Sequence, residues 1–273
     1  METAAVNSCP LVSVVMATFN EPVRYITESI ESILNQTYTN LELLICDDST
    51  NQDTIATIDK FAEADPRVRI IRKPTRMGFV PALNEGLRAA RGEFIARMDG
   101  DDISLPDRFE KELAFLITNP EIAIVGGGMN IIDAEGQMTS NRSYPSGGIQ
   151  LKRWAMMRNP LGHPTVMFRK FILKSEVGYD ETQKMAEDLE FWLRLMRKGY
   201  RLANLSETVL NYRVLGDQAQ KRKAQWTYNA KARRKNFTLK MPIFSIGSVA
   251  ASTIYTLLPQ FVIRKIYSKE NNQ

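Results

Sequence analysis

The sequence predicts an α/β fold built on a doubly wound, mainly parallel sheet. Three observations carry that expectation. Short β-rich apolar runs alternate with amphipathic helical stretches through the first half of the chain. The connections between them are short. Acidic or polar clusters recur where the runs end. With 273 residues, 44% of them apolar and 25% charged, the chain can bury a large core and still carry an appendage.

Val12–Thr18 is a β-rich run suited to a strand buried on both faces, broken by Phe19-Asn20-Glu21-Pro22. A helix follows from about Val23 to Leu34, with Ile26, Ile30, Ile33 and Leu34 on one stripe. Leu41–Cys46 is the next strand, and Asp47-Asp48-Ser49-Thr50 signals a loop and a helix start. Ile55, Ile58, Phe61 and Ala62 mark the second helix, and Val68–Arg72 the third strand. Val80–Ala90 is helical and closed by Arg91-Gly92. Phe94–Met98 is a fourth strand, ending at Asp99-Gly100-Asp101-Asp102. Ser104-Leu105-Pro106-Asp107 resembles a capping box for a helix running to about Ile117. Beyond it, Ala123–Gly127 and Thr165–Phe168 read as strands, with Gly126-Gly127-Gly128 as a tight bend. Ala186-Glu187-Asp188 opens a helix that Gly199 ends, and Ala203–Val214 is extended.

In such a sheet the ligand crevice lies beyond the carboxyl ends of the strands. Three clusters fall there: Thr18-Phe19-Asn20-Glu21, Asp47-Asp48 and Asp99-Gly100-Asp101-Asp102. Asp99 and Asp101 are spaced to share a hard divalent cation, which takes carboxylate oxygens and keeps water or phosphate as other ligands. The same residues also make an ordinary acidic turn. Asp48 is suited to accept hydrogen bonds from a base or ribose. Asp48, Ser49 or Thr50 could equally cap the following helix. At Glu187-Asp188 the helix dipole favours negative charge, which would keep a general base ionised and is also good capping chemistry. His163, the one histidine, is a candidate contact to metal or diphosphate, or a packed loop residue. Without a His/Cys cluster, zinc is not expected. No nucleophile-elbow serine and no phosphate-binding glycine loop is present. Cys9 and Cys46 cannot form a disulfide framework, which favours a reducing compartment, and the first residues show no signal peptide.

Charge is uneven. Arg213 to Lys240 holds nine basic residues against one acid, Asp217, for a net +8, so the rest of a chain of total +5 is at −3. A basic helix is expected from about Gln218 to Leu239, followed by an uncharged stretch, Pro242–Ile263. The apolar Met241–Ile263 segment is about bilayer-long but diluted by hydroxyl residues and Pro259. An interfacial helix pair is favoured over a span or packing on the protein itself. Lys231–Lys235, Arg264 and Lys265 would then meet anionic headgroups. The few aromatics nearby form no stacking platform, so nucleic acid is not expected.

The stretches SVVMATFNE, ICDDS, GFVPALNEGLRAARGEFIARMDGDD, GHPTVMFRK and AEDLEFWLRL, in that order, resemble the family-2 inverting glycosyltransferases from about Leu11 to Val214. The closest likeness is to bacterial enzymes of O-antigen, capsule or exopolysaccharide synthesis. The resemblance implies the GT-A fold, a Rossmann-like doubly wound sheet. It implies a catalytic domain over 1–214, with a nucleotide-binding half at about 11–120 and an acceptor-binding half at about 121–214. The remainder, 215–273, would be a basic, apolar membrane-association region. It further implies that Thr18, Asn20, Glu21 and Asp48 hold the nucleoside. Asp99 and Asp101 would hold ribose, Mn²⁺ or Mg²⁺ and diphosphate, with Asp101 the direct metal ligand and His163 a further candidate. Asp188 would be the catalytic base and Glu187 its neighbour. Many relatives carry Asn where this chain has Arg76, which can contact base or phosphate instead, or point to solvent.

The implied reaction moves a hexose from a nucleotide-diphosphate sugar, UDP by preference, to a lipid-diphosphate-linked saccharide at the inner face of the cell membrane. The alternatives are a sugar-phosphate nucleotidyltransferase and a non-catalytic carbohydrate- or partner-binding module.

Overall fold

The structure, a computed structural model, describes residues 9–175, 178–215, 219–238 and 242–257. In chain order the elements are β1 (Val12–Thr18), α1 (Val23–Leu34), β2 (Leu41–Asp47), α2 (Gln52–Ala64), β3 (Val68–Ile71), α3 (Phe79–Ala89), β4 (Phe94–Asp99), β5 (Ile103–Ser104) and α4 (Arg108–Thr118). There follow β6 (Ile122–Ile132), β7 (Met138–Arg142), α5 (Gly148–Ala155), β8 (Met167–Arg169), α6 (Ile172–Ser175), α7 (Glu187–Lys198), β9 (Arg201–Arg213), α8 (Ala219–Lys235) and α9 (Pro242–Leu257). A 3₁₀ turn at His163–Thr165 enters β8, so the strand expected from Thr165 starts at Met167.

The sheet order is β3-β2-β1-β4-β8-β6-β9-β5, with β7 beside β6. β3, β2, β1 and β4 run parallel, and the sheet continues through antiparallel β8 into β6 and β9, which are parallel to each other. All seven residues of β1 and of β2 are buried. Strand side chains alternate between faces, so two cores form. Val12, Val14 and Met16 join Ile26, Ile30 and Ile33 of α1 and Phe109 and Leu116 of α4 on one side. Val15, Ala17, Leu44 and Cys46 join Leu83 and Leu87 of α3 and Phe191, Trp192 and Leu195 of α7 on the other. These are the doubly wound layers that the sequence predicts.

Two local expectations are corrected. Ser104 does not cap α4: it pairs into β5 against Leu210 of β9, and Asp107 makes no cap hydrogen bond. The cap comes from Gln36, just past α1. Its Oε1 accepts from the Phe109 amide at 3.2 Å, while its Nε2 donates to the Leu105 carbonyl at 2.7 Å and the Ser32 carbonyl at 2.9 Å. Gly126-Gly127-Gly128 is not a tight bend. It lies inside β6, where a Cβ at Gly127 would stand 2.7 Å from Val209 Cγ2 and one at Gly126 2.8 Å from Asn204 Oδ1. The glycines let β9 approach closely, with a register shift at that point.

The tail also differs from expectation. Lys231 donates to the Thr182 carbonyl at 3.1 Å, Lys235 pairs with Asp180 at 2.5 Å, and Arg233 is buried against α5. Arg233 is thus withdrawn from the surface, while Lys231 and Lys235 reach the protein body and stay exposed. Arg264 and Lys265 lie outside the described residues. No helix among the described residues is long and apolar enough to cross a membrane. On α9, Ile246 and Ile254 are exposed.

Gln36 is buried, and removing its amide leaves several helix-end groups unmet, each costing about 1–3 kcal/mol. Gln36→Ala is therefore expected to lower unfolding stability by about 2 kcal/mol, read as a denaturant midpoint shift at constant slope. An unshifted midpoint would show that α4 does not depend on this cap.

Candidate functional site

Parallel register brings the strand ends level: Thr18 lies opposite Asp47 and Ala17 opposite Asp99. Thr18 Oγ1 donates to Asp47 Oδ1 at 3.1 Å, and Asp47 Oδ2 takes Arg72 at 2.7 Å. Asn20 sits at φ +60°, a left-handed conformation that asparagine tolerates. There its Oδ1 accepts from the Thr50 and Asn51 amides at 2.7 and 2.8 Å. Asn51, not Asp48, Ser49 or Thr50, caps α2, accepting from the Asp53 and Thr54 amides. Asp48 instead takes the Met77 and Gly78 amides at 2.9 and 2.6 Å, which anchors the loop before α3. On that loop the exposed Arg76 lays its guanidinium 3.6 Å from the centre of the Phe19 ring. Thr18, Asn20, Asp48 and Arg76 thus meet at one mouth. Glu21 adjoins it, accepting from the Phe19 amide at 2.8 Å, and burial followed by the charges of Asp101 and Asp99 pushes it up to about 7.

Carboxylate oxygens of Asp99, Asp101 and Asp102 lie within 4.8 Å of one another. Gly100 allows the turn to close here, since a Cβ would stand 3.1 Å from Thr18 and 3.2 Å from Glu21. Burial, then Asp99, pushes Asp101 up to about 6. Asp102 is fully buried. Its Oδ1 accepts from the Arg213 amide at 2.8 Å, and its Oδ2 has no partner. Arg213 braces the cluster further, donating to the Asp101 carbonyl at 2.9 Å. Asp102 was not singled out in the sequence, where it reads as the tail of the Asp-Gly-Asp turn.

The sequence reading also missed Arg97. It lies within β4, 3% exposed, and forms an ion pair with Asp99; its Nε and Nη1 have no hydrogen-bond partner. A charge inside an otherwise apolar strand was the available signal, because burying a cation is costly unless it is paired.

The second acid group opens α7. Ala186 precedes it in the left-handed region at φ +60°, so the helix starts abruptly at Glu187. Asp188 accepts from Asn159 Nδ2 through one oxygen and from the Leu189 amide at 2.6 Å through the other. Burial raises Asp188. Burial, reinforced by the charge of Asp188, raises Glu187. Burial here acts against the helix dipole that favours negative charge. Asn159 carried no signal in the sequence. His163 stands outside the aspartate cluster. Its Nε2 is 2.9 Å from the Tyr179 hydroxyl and its Nδ1 is 3.8 Å from Glu187. Burial and the Arg97 charge push it well down, leaving it neutral. Arg97 acts electrostatically on Asp101, Asp102, Glu187 and Asp188, and Asp99 acts on Glu187, so the two acid groups share one field.

The group of carboxylates held in raised states fixes how metal-free stability depends on pH. Glu21, at an ordinary value of 4.5, moves to about 7. Between those values the folded chain keeps protons that the unfolded chain has lost, so stability falls as pH rises. Asp101, Asp102, Glu187 and Asp188 act in the same direction, while His163 opposes it below its ordinary 6.5 and Asp47, held low, opposes it only below its ordinary 3.8. The melting temperature of the metal-free protein is expected to drop between about 4.5 and 7, and Mn²⁺ to lessen the drop. A melting temperature that climbs through this window would contradict the raised carboxylates.

Residues 13–175 match glycosyl transferase family 2. A Bacillus subtilis (strain 168) glycosyltransferase, EpsE, is 34% identical over 275 residues, covering 96% of this chain and 95% of that one. The O-antigen biosynthesis glycosyltransferase WbnJ of Escherichia coli is 34% identical, covering 77% and 82%. Among solved structures, S. aureus TarS 1-349 in complex with UDP-GlcNAc superposes with a TM-score of 0.64 at 21% identity, covering 82% of this chain. This chain spans 66% of that TarS chain, and the likeness supports the GT-A fold. Fold, acid clusters and family match agree: the chain belongs to glycosyl transferase family 2 and is a glycosyltransferase.

Proposed function

We propose that the chain transfers a hexose, with inversion, from a UDP-sugar to a hydroxyl of a lipid-diphosphate-linked saccharide during bacterial surface polysaccharide synthesis. One observation carries the reading: the Asp99–Asp101–Asp102 cluster and the Glu187–Asp188 pair lie in the common field of Arg97. The name of WbnJ supports the polysaccharide class, and the ligand of the TarS structure supports a UDP-sugar donor.

The residues present fit a hard divalent cation. The donors are all carboxylate oxygens, Asp102 Oδ2 is buried without a partner, and Asp101 is raised by burial and then by the charge of Asp99, which a cation would relieve. Asp101 and Asp99 would hold Mn²⁺ or Mg²⁺, which supplies Lewis acidity toward the charge growing on the leaving diphosphate. Arg97 keeps Asp99 in place toward ribose and diphosphate. Asn20 and Asp48 shape the nucleoside pocket by tying its loops, Thr18 and Glu21 line it, and Arg76 over Phe19 stands at its mouth for base or phosphate. Asp188, oriented by Asn159 and the Leu189 amide, takes the acceptor proton as the oxygen attacks the anomeric carbon from the face opposite the leaving group. Glu187 positions the base or contacts the acceptor. One displacement inverts the sugar and needs no protein nucleophile.

In this reading residues 1–214 are the catalytic domain, with nucleotide and acceptor halves meeting near 120. The segment 215–273 holds the enzyme on the anionic inner face of the cell membrane. The exposed isoleucines of α9 support that placement.

Asp188→Asn is expected to cut kcat by roughly 10²–10⁴-fold while leaving the donor KM within about threefold, measured as UDP release with an acceptor present. Turnover at the wild-type rate would remove Asp188 from the role of base. Asp101→Asn is expected to raise the Mn²⁺ concentration for half-maximal activity. An unchanged metal titration would place the cation elsewhere.

A further inference from the structure

The tail folds over a second polar site, unrelated to the acid clusters. Arg233 of α8 is 3% exposed. Its Nη1 donates to the Ala155 carbonyl at 2.6 Å and to Ser248 Oγ at 3.2 Å, while Nε and Nη2 have no partner. Both acceptors are neutral, so no carboxylate among the described residues compensates the buried charge. Burial alone pushes this guanidinium down to about 10. Glu190, on nearby α7, is already taken by Arg194 at 3.2 Å and Asn236 at 3.3 Å.

Arg233 lines a cavity of about 50 Å³ between α5, α7, α8 and α9. Lys152 and Arg197, both exposed, bring two more cations to its wall, and Ser248 adds a hydroxyl; Asn236 and Ser245 also line it, their donors held by Glu190 and the Ala232 carbonyl and by the Thr238 carbonyl. No acid lines it. The volume is several times what one water needs and suits a small oxyanion. Gly247 closes the roof, since a Cβ there would stand 2.6 Å from Met156 Cε, and Met156 is part of the wall. Beside this roof α9 exposes Ile246 and Ile254.

Cations and a hydroxyl with no acid make a site for a tetrahedral oxyanion, and an orphaned guanidinium fork favours one that accepts two hydrogen bonds. We propose that the Arg233 cavity binds a phosphate group, presented by an anionic lipid headgroup or by a free phosphate. The apolar face of α9 beside it favours the lipid source. That choice rests on the membrane reading above, whereas the phosphate site itself does not.

The full chain would be titrated with inorganic phosphate by calorimetry, with chloride matching ionic strength. Saturable binding is expected in the wild type, and its loss in Arg233→Leu. If that variant does not fold, the double variant Lys152→Ser/Arg197→Ser keeps the buried fork. It should weaken phosphate binding by roughly tenfold while glycosyl transfer to a soluble acceptor stays unchanged. Absence of saturable binding to the wild type, or equal affinity in all variants, would overturn the site and leave the transferase reading untouched. Flotation with equimolar phosphatidylcholine and phosphatidylglycerol vesicles separates the sources. Binding that phosphate competes away, and that Arg233→Leu loses, identifies the headgroup. Phosphate binding without such flotation identifies a free phosphate as occupant.

Discussion

The site depends on one buried ion pair, Arg97 with Asp99. Five carboxylates, Asp99, Asp101, Asp102, Glu187 and Asp188, approach the carboxyl end of β4 in surroundings mostly shielded from water. Like charges in low dielectric repel strongly, and several of these acids are pushed up toward protonation. Arg97 is the cation within the strand itself, two residues before Asp99. It fixes the position of that carboxylate and lowers the cost of ionising the rest. A divalent cation at the aspartates would complete the balance, which ties metal binding, donor binding and the state of the base to a single electrostatic centre.

Backbone register decides which residues can reach that centre. β1 pairs with β2 and β4 in parallel, so three chain segments far apart in sequence end at one level. The loops there are then cross-linked by side chains that a sequence reading takes as ligand contacts. Asn20 binds the amides entering α2, and Asp48 binds those entering α3. These residues hold the loops at the mouth in place through the backbone, and in the proposed function they shape the nucleoside pocket that way. Gly100 lets this turn pack tightly, since Thr18 and Glu21 side chains come within 3.1 and 3.2 Å of where a Cβ would stand.

Much of this was legible from the sequence for a physical reason. β1, β2 and β4 are buried on both faces, so they appear as mostly apolar runs, each interrupted by one polar residue (Ser13, Glu42, Arg97), and the acidic turns that follow stand out. The helices α1 and α2 declared themselves by their spaced apolar residues. What stayed hidden depends on distant partners. Gln36 caps a helix some seventy residues later, and Ser104 is drawn into a strand by β9. The triple glycine signals close strand approach, which looks the same in sequence as a bend. Asn159 acts only because α5 and α7 bring it to Asp188. The basic tail read as a charged surface, yet Arg233 turns inward to the Ala155 carbonyl, while Lys231 and Lys235 stay exposed and reach the Thr182 carbonyl and Asp180. Only Arg97 was a signal present and overlooked.

The central claim is that the two acid groups bracket one bound donor sugar. A crystal structure of the Asp188→Asn protein with Mn²⁺ and UDP-GlcNAc tests it directly. The expected result is an anomalous Mn²⁺ peak within coordination distance of Asp101, with the anomeric carbon lying between that metal and residue 188. A metal bound away from Asp101, or a sugar whose anomeric carbon turns its back on position 188, would contradict it.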